Sequence, residues 1–446
     1  MRQIPPPHAH LWPETASVDP YGHLSIAGIE AASLVARFGT PLYVYDEATL
    51  RAQCGRFVRA FQREWPDSTV AYAGKAWLSL ALLRLLRDEG FDLDVVSAGE
   101  MGMALAAGFP ADRLHLHGNF KPDAELVAAL DAGVGRIVVD SLDELVALER
   151  LAADRRQRIA VWLRLCPDVA TQTHAYTQTG HAGSKFGLDI ASGEAREAAS
   201  RVSRSQWLDL IGLHAHAGSH LMETTPLARV IAALGEMAAI IREETGIVVR
   251  EISPGGGLAV AYTPEDRAPS PDEYATVVAR SLAAAVSRHD LAPPRLIVEP
   301  GRSIVARAGI ALYTIGVRKR GPDGRLTVAV DGGMGDNPRP ALYHARYHAA
   351  LIHQIPTAAT TDTRVVGRYC ESGDVLIERI ALPEPAPGDV LAVPVSGAYH
   401  LPMASNYNGV PRPAVVFVRD GAARLVRRRE SLDDLLRLED TETTDA

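Results

Sequence analysis

From about residue 70 to 300, short β-branched runs alternate with longer Ala/Leu-rich stretches of helical period. Runs at 70–73, 93–97, 113–117, 136–140, 159–165, 210–214, 249–253 and 296–299 predict strands. Segments 79–89, 124–132, 142–155 and 227–245 predict helices that follow them. Eight strands alternating with helices over about 230 residues match a (β/α)8 TIM-type barrel in number and size. A doubly wound open sheet usually has fewer strands and needs a phosphate loop after its first. Beyond Gly301 the texture changes. Runs at 303–317, 326–330, 364–366, 375–380, 390–395 and 414–418 read as strands between Gly/Pro turns. They predict a second, mostly β domain of Greek-key barrel-like character. Segments 24–26 and 42–45 also read as strands and can complete its sheet. The division expected is therefore 1–48 (strands lent to the β domain), 49–305 (barrel) and 306–446 (β domain), with an acidic tail disordered from about 438.

Composition narrows the class. The 446 residues suffice for two or three domains, and 47% hydrophobic content is that of an ordinary globular protein. A net charge of −8 argues against nucleic acid or an anionic membrane as the main partner. The N-terminus lacks an apolar signal segment, no long uncharged apolar stretch occurs, and three scattered cysteines (Cys54, Cys166, Cys370) suggest a reducing compartment. A cytoplasmic protein is expected. Only four of the 46 basic residues are lysine (Lys75, Lys121, Lys185, Lys319), so each lysine merits inspection.

In a barrel, chemistry gathers where the strands end. Strand one runs into Gly74-Lys75, strand two into Ser97-Ala98-Gly99-Glu100 and strand three into Gly118-Asn119. Strand six ends in His214-Ala215-His216-Ala217-Gly218-Ser219, strand seven in Gly255-Gly256-Gly257, and strand eight in Glu299-Pro300-Gly301-Arg302. A lysine among small neighbours at such a mouth can form a Schiff base with an aldehyde; alone it is more often a solvated strand-end lysine, and the other rim residues reverse that reading. Three glycines let backbone N–H groups approach a phosphate, or simply make a tight turn. His214 and His216 are two apart, a spacing a zinc hydrolase would use; either could instead stack on a flat cofactor or fill the core. Glu299 facing a pyridine nitrogen would keep it protonated, and Glu299 with Arg302 could equally be a surface ion pair. In the β domain, Cys370-Glu371-Ser372-Gly373-Asp374 and the polar loops 331–343 and 396–408 carry Arg339, Tyr343 and Tyr399. Long polar glycine-containing loops of this kind are more often functional than structural.

Taken in order, these segments resemble the fold-type III decarboxylases dependent on pyridoxal 5′-phosphate (PLP), most closely those acting on diaminopimelate. The resemblance rests on Tyr72-Ala73-Gly74-Lys75-Ala76, Asp94-Val95-Val96-Ser97-Ala98-Gly99-Glu100, His117-Gly118-Asn119, Thr173-His174-Ala175-Tyr176, Ser184-Lys185-Phe186-Gly187 and Gly212 through Ser219. The glycine turn, 299–302, 331–343, 370–374 and 397–408 complete a set spanning about residues 25–420. The resemblance implies that Lys75 holds PLP, His216 stacks on it and Glu299 meets its ring nitrogen. It further implies cofactor contacts from Asp94, Ser219, Gly255, Gly256, Gly257, Gly301, Arg302 and Tyr399. Arg302, Arg339, Tyr343 and Tyr399 would meet the substrate, Glu371 its distal ammonium, and Cys370 would donate a proton. Cys370 and Glu371 would come from the second subunit of a homodimer with shared active sites. The expected reaction is decarboxylation of meso-2,6-diaminopimelate at its D-centre to L-lysine, with no metal.

Two alternatives stay open on the residues: a same-fold decarboxylase of another substrate, such as a D-amino acid or a carrier-bound one, and a zinc hydrolase using His214 and His216. Phe120, Pro122, His220, Gly335 and His344 depart from the family pattern.

Overall fold

The computed structural model describes residues 3–167, 184–355 and 361–440, so the Thr173–Tyr176 motif and the last six residues lie outside the described residues. The chain forms two compact units. One comprises Arg51–Val260 and Arg267–Ile304; the other comprises Met1–Leu50, Ala261–Asp266 and Val305–Ala446.

The first unit is a closed parallel barrel. Its strands are β1 (Ser68–Ala73), β2 (Asp92–Val95), β3 (Leu114–Leu116), β4 (Arg136–Val139), β5 (Ile159–Cys166), β6 (Leu208–His214), β7 (Glu251–Ser253) and β8 (Arg295–Val298). Each pairs in parallel with the next, and β8 closes on β1 through Leu296↔Ser68. All eight C-terminal ends therefore share one rim. Helix starts are written into the sequence. Ser79, Ser97 and Ser141 each accept from the backbone N–H three residues on, opening Leu80–Asp88, Ala98–Ala106 and Leu142–Arg155. Ser270 and Glu273 form a capping box at Pro271–His289, and left-handed Gly133 and Gly246 end the helices Asp123–Ala132 and Thr225–Thr245. Ala71, Val138, Trp162 and Ile297 form an apolar cluster that is at most 1% exposed.

The second unit is mostly β. One sheet runs in the order Val375–Leu382, Thr361–Val366, Leu326–Val330, Gly309–Arg320, Leu42–Asp46, Ala414–Arg419, Ala422–Arg427, and Val390–Val393 also pairs with Gly309–Arg320. Leu42–Asp46 thus sits between two strands from the far end of the chain. Leu24–Ile26 does not join this sheet; it pairs with Ser17–Val18 and Ile29–Glu30 in a small antiparallel sheet. The run expected as one strand over 303–317 is divided: Arg302–Val305 is a short helix and the strand is Gly309–Arg320. Gly309 marks the new start because a Cβ there would lie 2.4 Å from Gly397 Cα.

Candidate active site

On β1 the chain leaves the strand through a single helical turn, Gly74–Ala76, in which Gly74 and Ala76 are buried and Lys75 is exposed. Small residues are needed here. A Cβ on Gly74 would come within 2.7 Å of the Asp94 carbonyl, and one on Gly301 within 3.0 Å of Ala73 and Ala76. Ala73 N–H also donates to the Pro300 carbonyl at 3.2 Å. The ends of β1, β2 and β8 are locked together, and Lys75 alone projects from that turn.

The glycine run is dictated by equally close packing. Added Cβ atoms would lie 2.6 Å from His216 Nδ1 at Gly255, 1.9 Å from the Glu299 carbonyl at Gly256 and 2.2 Å from the Gly218 carbonyl at Gly257. Gly255 and Gly257 also take φ of +75° and +103°. Gly256 N–H donates to His216 Nδ1 at 3.3 Å, which makes that nitrogen the acceptor. Burial first, and then the positive charge of Lys75, push His216 well below the ordinary imidazole range, so its ring is neutral. Ser219 accepts from Arg302 at 2.8 Å, and the Arg302 side chain is buried.

Glu299 directly follows β8 and is 7% exposed. The Ser253 hydroxyl donates to its Oε1 at 2.6 Å, and its Oε2 lies 3.0 Å from His214 Nε2. Burial and the charge of Asp94 act to raise its pKa, but His214 and His117 outweigh them and hold the carboxyl well below its ordinary value. Burial lowers His214, although Glu299 beside its Nε2 acts to raise it.

The interior continues this polar layer. Asp94, expected among the cofactor contacts, is 6% exposed; it lies 3.1 Å from His115 Nδ1 and 3.5 Å from His117 Nε2. His115 Nε2 lies 3.3 Å from Asp92. Burial alone would lower His115, yet its two carboxylate partners raise it to about 9. Ser253 and His115 were not singled out from the sequence, and His117 entered only as part of the His117-Gly118-Asn119 motif. The signal was there for the histidines, since 115 and 117 alternate at strand spacing and so face the same side. His214 and His216 do not converge: one meets Glu299, the other Gly256. That geometry gives a zinc site built on the pair no support.

In the β unit, Arg339 opens the helix Arg339–Tyr343 and is 6% exposed. Its guanidinium lies 4.7 Å from the Tyr262 ring centre, 5.7 Å from that of Tyr347, and donates to the Tyr347 hydroxyl. Tyr347 continues to His400 Nε2 at 2.8 Å, and His400 Nδ1 lies 3.1 Å from the Tyr43 hydroxyl. Tyr343 is half-buried, and Tyr399 holds φ +62°, a left-handed backbone unusual for an aromatic residue. Cys370 and Glu371 are exposed. Their loop is pinned by Asp374, whose carboxylate accepts from Met334 N–H at 2.7 Å and Tyr369 N–H at 2.8 Å, and by Asn408, which accepts from Cys370 N–H at 2.8 Å.

Residues 48–306 match a family model described as the pyridoxal-dependent decarboxylase, pyridoxal binding domain. A diaminopimelate decarboxylase of Bacillus subtilis (strain 168) is 43% identical over 95% of this chain and 97% of its own. One from Actinosynnema pretiosum subsp. auranticum is 45% identical over 96% and 95%. The chain belongs to the diaminopimelate decarboxylases. The crystal structure of the M. jannaschii family member in complex with L-lysine agrees: TM-score 0.90, 32% identity, 96% of this chain and 98% of that one. The protein is a decarboxylase of the lyase class, with the barrel of the family.

Proposed function

We propose that the chain decarboxylates meso-2,6-diaminopimelate at its D-configured centre, giving L-lysine and carbon dioxide, with PLP held on Lys75. The observation that carries this is Glu299: a carboxylate kept ionised inside the barrel, on the rim that also presents Lys75. The donor set fits the cofactor, combining an exposed primary amine for its aldehyde, a neutral imidazole face and an anion for a protonated ring nitrogen. When bound, PLP supplies an aromatic ring that takes up the electron pair left at Cα as carbon dioxide departs.

The residues do the rest. Glu299 keeps the proton on the ring nitrogen, and a cationic arginine in that place would not. His216, uncharged, offers a flat face without competing for that proton. Gly255, Gly256, Gly257, Gly301, Arg302, Ser219 and Tyr399 are the proposed phosphate side. Arg302, Arg339 and Tyr343 are assigned to the substrate's distal carboxylate, where a planar guanidinium can pair in a bidentate way, and Glu371 to its distal ammonium. Cys370 returns a proton to Cα. Cys370 and Glu371 are assigned to the second subunit of a homodimer, and the cytoplasm is the proposed compartment. Residues 49–305 are the proposed cofactor domain, and the loops within 306–446 the substrate and subunit contacts.

Purified protein is expected to absorb near ~420 nm and to lose that band on borohydride reduction with a pyridoxyl label on Lys75. Carbon dioxide release from the meso isomer should exceed that from lysine, ornithine or the L,L isomer. Colourless protein, or label elsewhere, would remove Lys75 from this role; equal turnover of all four would remove the substrate assignment.

A further inference from the structure

Arg339 is a buried cation without a carboxylate beside it. Among the described residues its guanidinium hydrogen-bonds only the Tyr347 hydroxyl, and it lies over the rings of Tyr262 and Tyr347. A buried charge left unpaired is costly, so the group that pairs with it has to come from outside the fold. From Tyr347 the contacts run on through the core. The Tyr347 hydroxyl lies 2.8 Å from His400 Nε2, and His400 Nδ1 lies 3.1 Å from the Tyr43 hydroxyl. That hydroxyl donates to Asp336 Oδ2 at 2.8 Å. Tyr313 donates to the same oxygen at 2.5 Å, and Gly333 N–H donates to Oδ1 at 2.9 Å. Arg339, Tyr347, His400, Tyr43 and Asp336 are each at most 6% exposed. Asp336 stands just before Asn337-Pro338-Arg339 in the chain, so the path closes into a ring, with backbone on one side and side chains on the other. The backbone side is held too: Asp336 N–H and Asn337 N–H both donate to the Gly333 carbonyl, at 3.1 and 2.8 Å.

We propose that Tyr347, His400 and Asp336 are positioning residues for Arg339, fixing the guanidinium that takes the substrate's distal carboxylate. The inference rests on that assignment of Arg339. A loose arginine would lose rotamer freedom each time it met a substrate, whereas a guanidinium anchored through Nη1 is ordered beforehand. The chemistry of the tether matters as much as its geometry. A carboxylate in place of the Tyr347 hydroxyl would neutralise the guanidinium and occupy an edge that a planar carboxylate pairs with. A phenol accepts one N–H and leaves the charge for the substrate. The anionic end of the ring, Asp336, is kept away from Arg339 by the intervening Tyr347, His400 and Tyr43 side chains. Acting through Arg339, these residues govern the binding of any ligand with a distal carboxylate and leave the chemical step unaltered.

The test separates binding from chemistry in full-length enzyme saturated with PLP. Tyr347→Phe should raise KM for meso-diaminopimelate about tenfold or more while kcat stays within about twofold, as expected for loss of a hydrogen bond to a charged group. Two inhibitors sharpen the reading. L-lysine keeps the distal carboxylate, and cadaverine has the same carbon chain and both amines without it. Tyr347→Phe should weaken inhibition by L-lysine by the same factor as KM and leave inhibition by cadaverine unchanged. His400→Gln should give the same split at smaller size, and it stands on its own if Tyr347→Phe does not fold. Arg339→Gln is measured alongside. If it weakens L-lysine and neither of the other variants does, the inference falls and the Arg339 assignment stands. If Arg339→Gln spares L-lysine, the assignment falls and the inference with it. A loss of kcat, or equal weakening of both inhibitors, in Tyr347→Phe and His400→Gln shows a structural role alone and overturns the inference.

Discussion

His115 shows how far a core residue can depart from its type. An imidazole that is 0% exposed should be neutral, but carboxylates at 3.1 and 3.3 Å keep it charged. Its raised pKa fixes the sign of a pH effect. The stability it contributes is full below the unfolded value of 6.5 and is lost as pH rises through about 9. Asp94 and Glu299 are depressed, so their contribution is present above their unfolded values of 3.8 and 4.5 and is lost as pH falls below these. Urea unfolding between about pH 5 and 10 should therefore show an alkaline decline that His115→Asn flattens. An unaltered decline in the variant would place its origin elsewhere. Glu299 was legible in the sequence as a candidate; its ionised state was not, because that depends on residues brought in from β2, β3, β6 and β7.

Among the elements, the junction of β3 and β4 turns on the second lysine. Lys121 is buried and donates to the carbonyls of Gly118 and Val138, both at 2.8 Å, and to Glu144 at 2.6 Å. It ties the loop after β3 to β4 and to the helix Leu142–Arg155, and Glu144 also accepts from Asp140 N–H at 3.0 Å. Lys121→Met strands a buried carboxylate and should cost about 3–5 kcal/mol in urea unfolding, whereas Lys121→Met with Glu144→Leu should recover much of it. Equal losses in both would show that the ion pair is not the source. Most strands and helices were legible because β-branched runs and helical spacing are local signals. Where the expectation failed, the cause was not local. Residues 303–305 look like strand but turn into a helix, and Gly309 begins its strand against Gly397. Departures from the family pattern also find local reasons. A Cβ on Gly335 would meet the Tyr369 ring at 2.2 Å, and His220 and His344 occupy left-handed backbone positions.

For the whole molecule, the proposed sharing of active sites makes a prediction that does not need a structure of the dimer. In a mixed dimer of Lys75→Ala and Cys370→Ala subunits, one site receives both intact residues if Cys370 is supplied across the interface. Random mixing of the two inactive proteins should then restore about a quarter of wild-type carbon dioxide release, since half the dimers are mixed and each has one working site. No recovery, with mixed dimers demonstrated by mass spectrometry, would place Cys370 in the same subunit as its Lys75.

By itself the sequence determined the barrel, its strand order and the rim at which chemistry gathers, because periodicity, serine caps and glycine turns act over a few residues. It also singled out Lys75, helped by the scarcity of lysine along the chain. Only the tertiary structure decided that Asp94 belongs to a charged core, that His214 serves Glu299 while His216 meets the glycine turn, and that Lys121 is a buried clamp. Charge and protonation inside a barrel depend on partners tens to hundreds of residues apart. Distances of three or four ångströms between them are set by how the strands close.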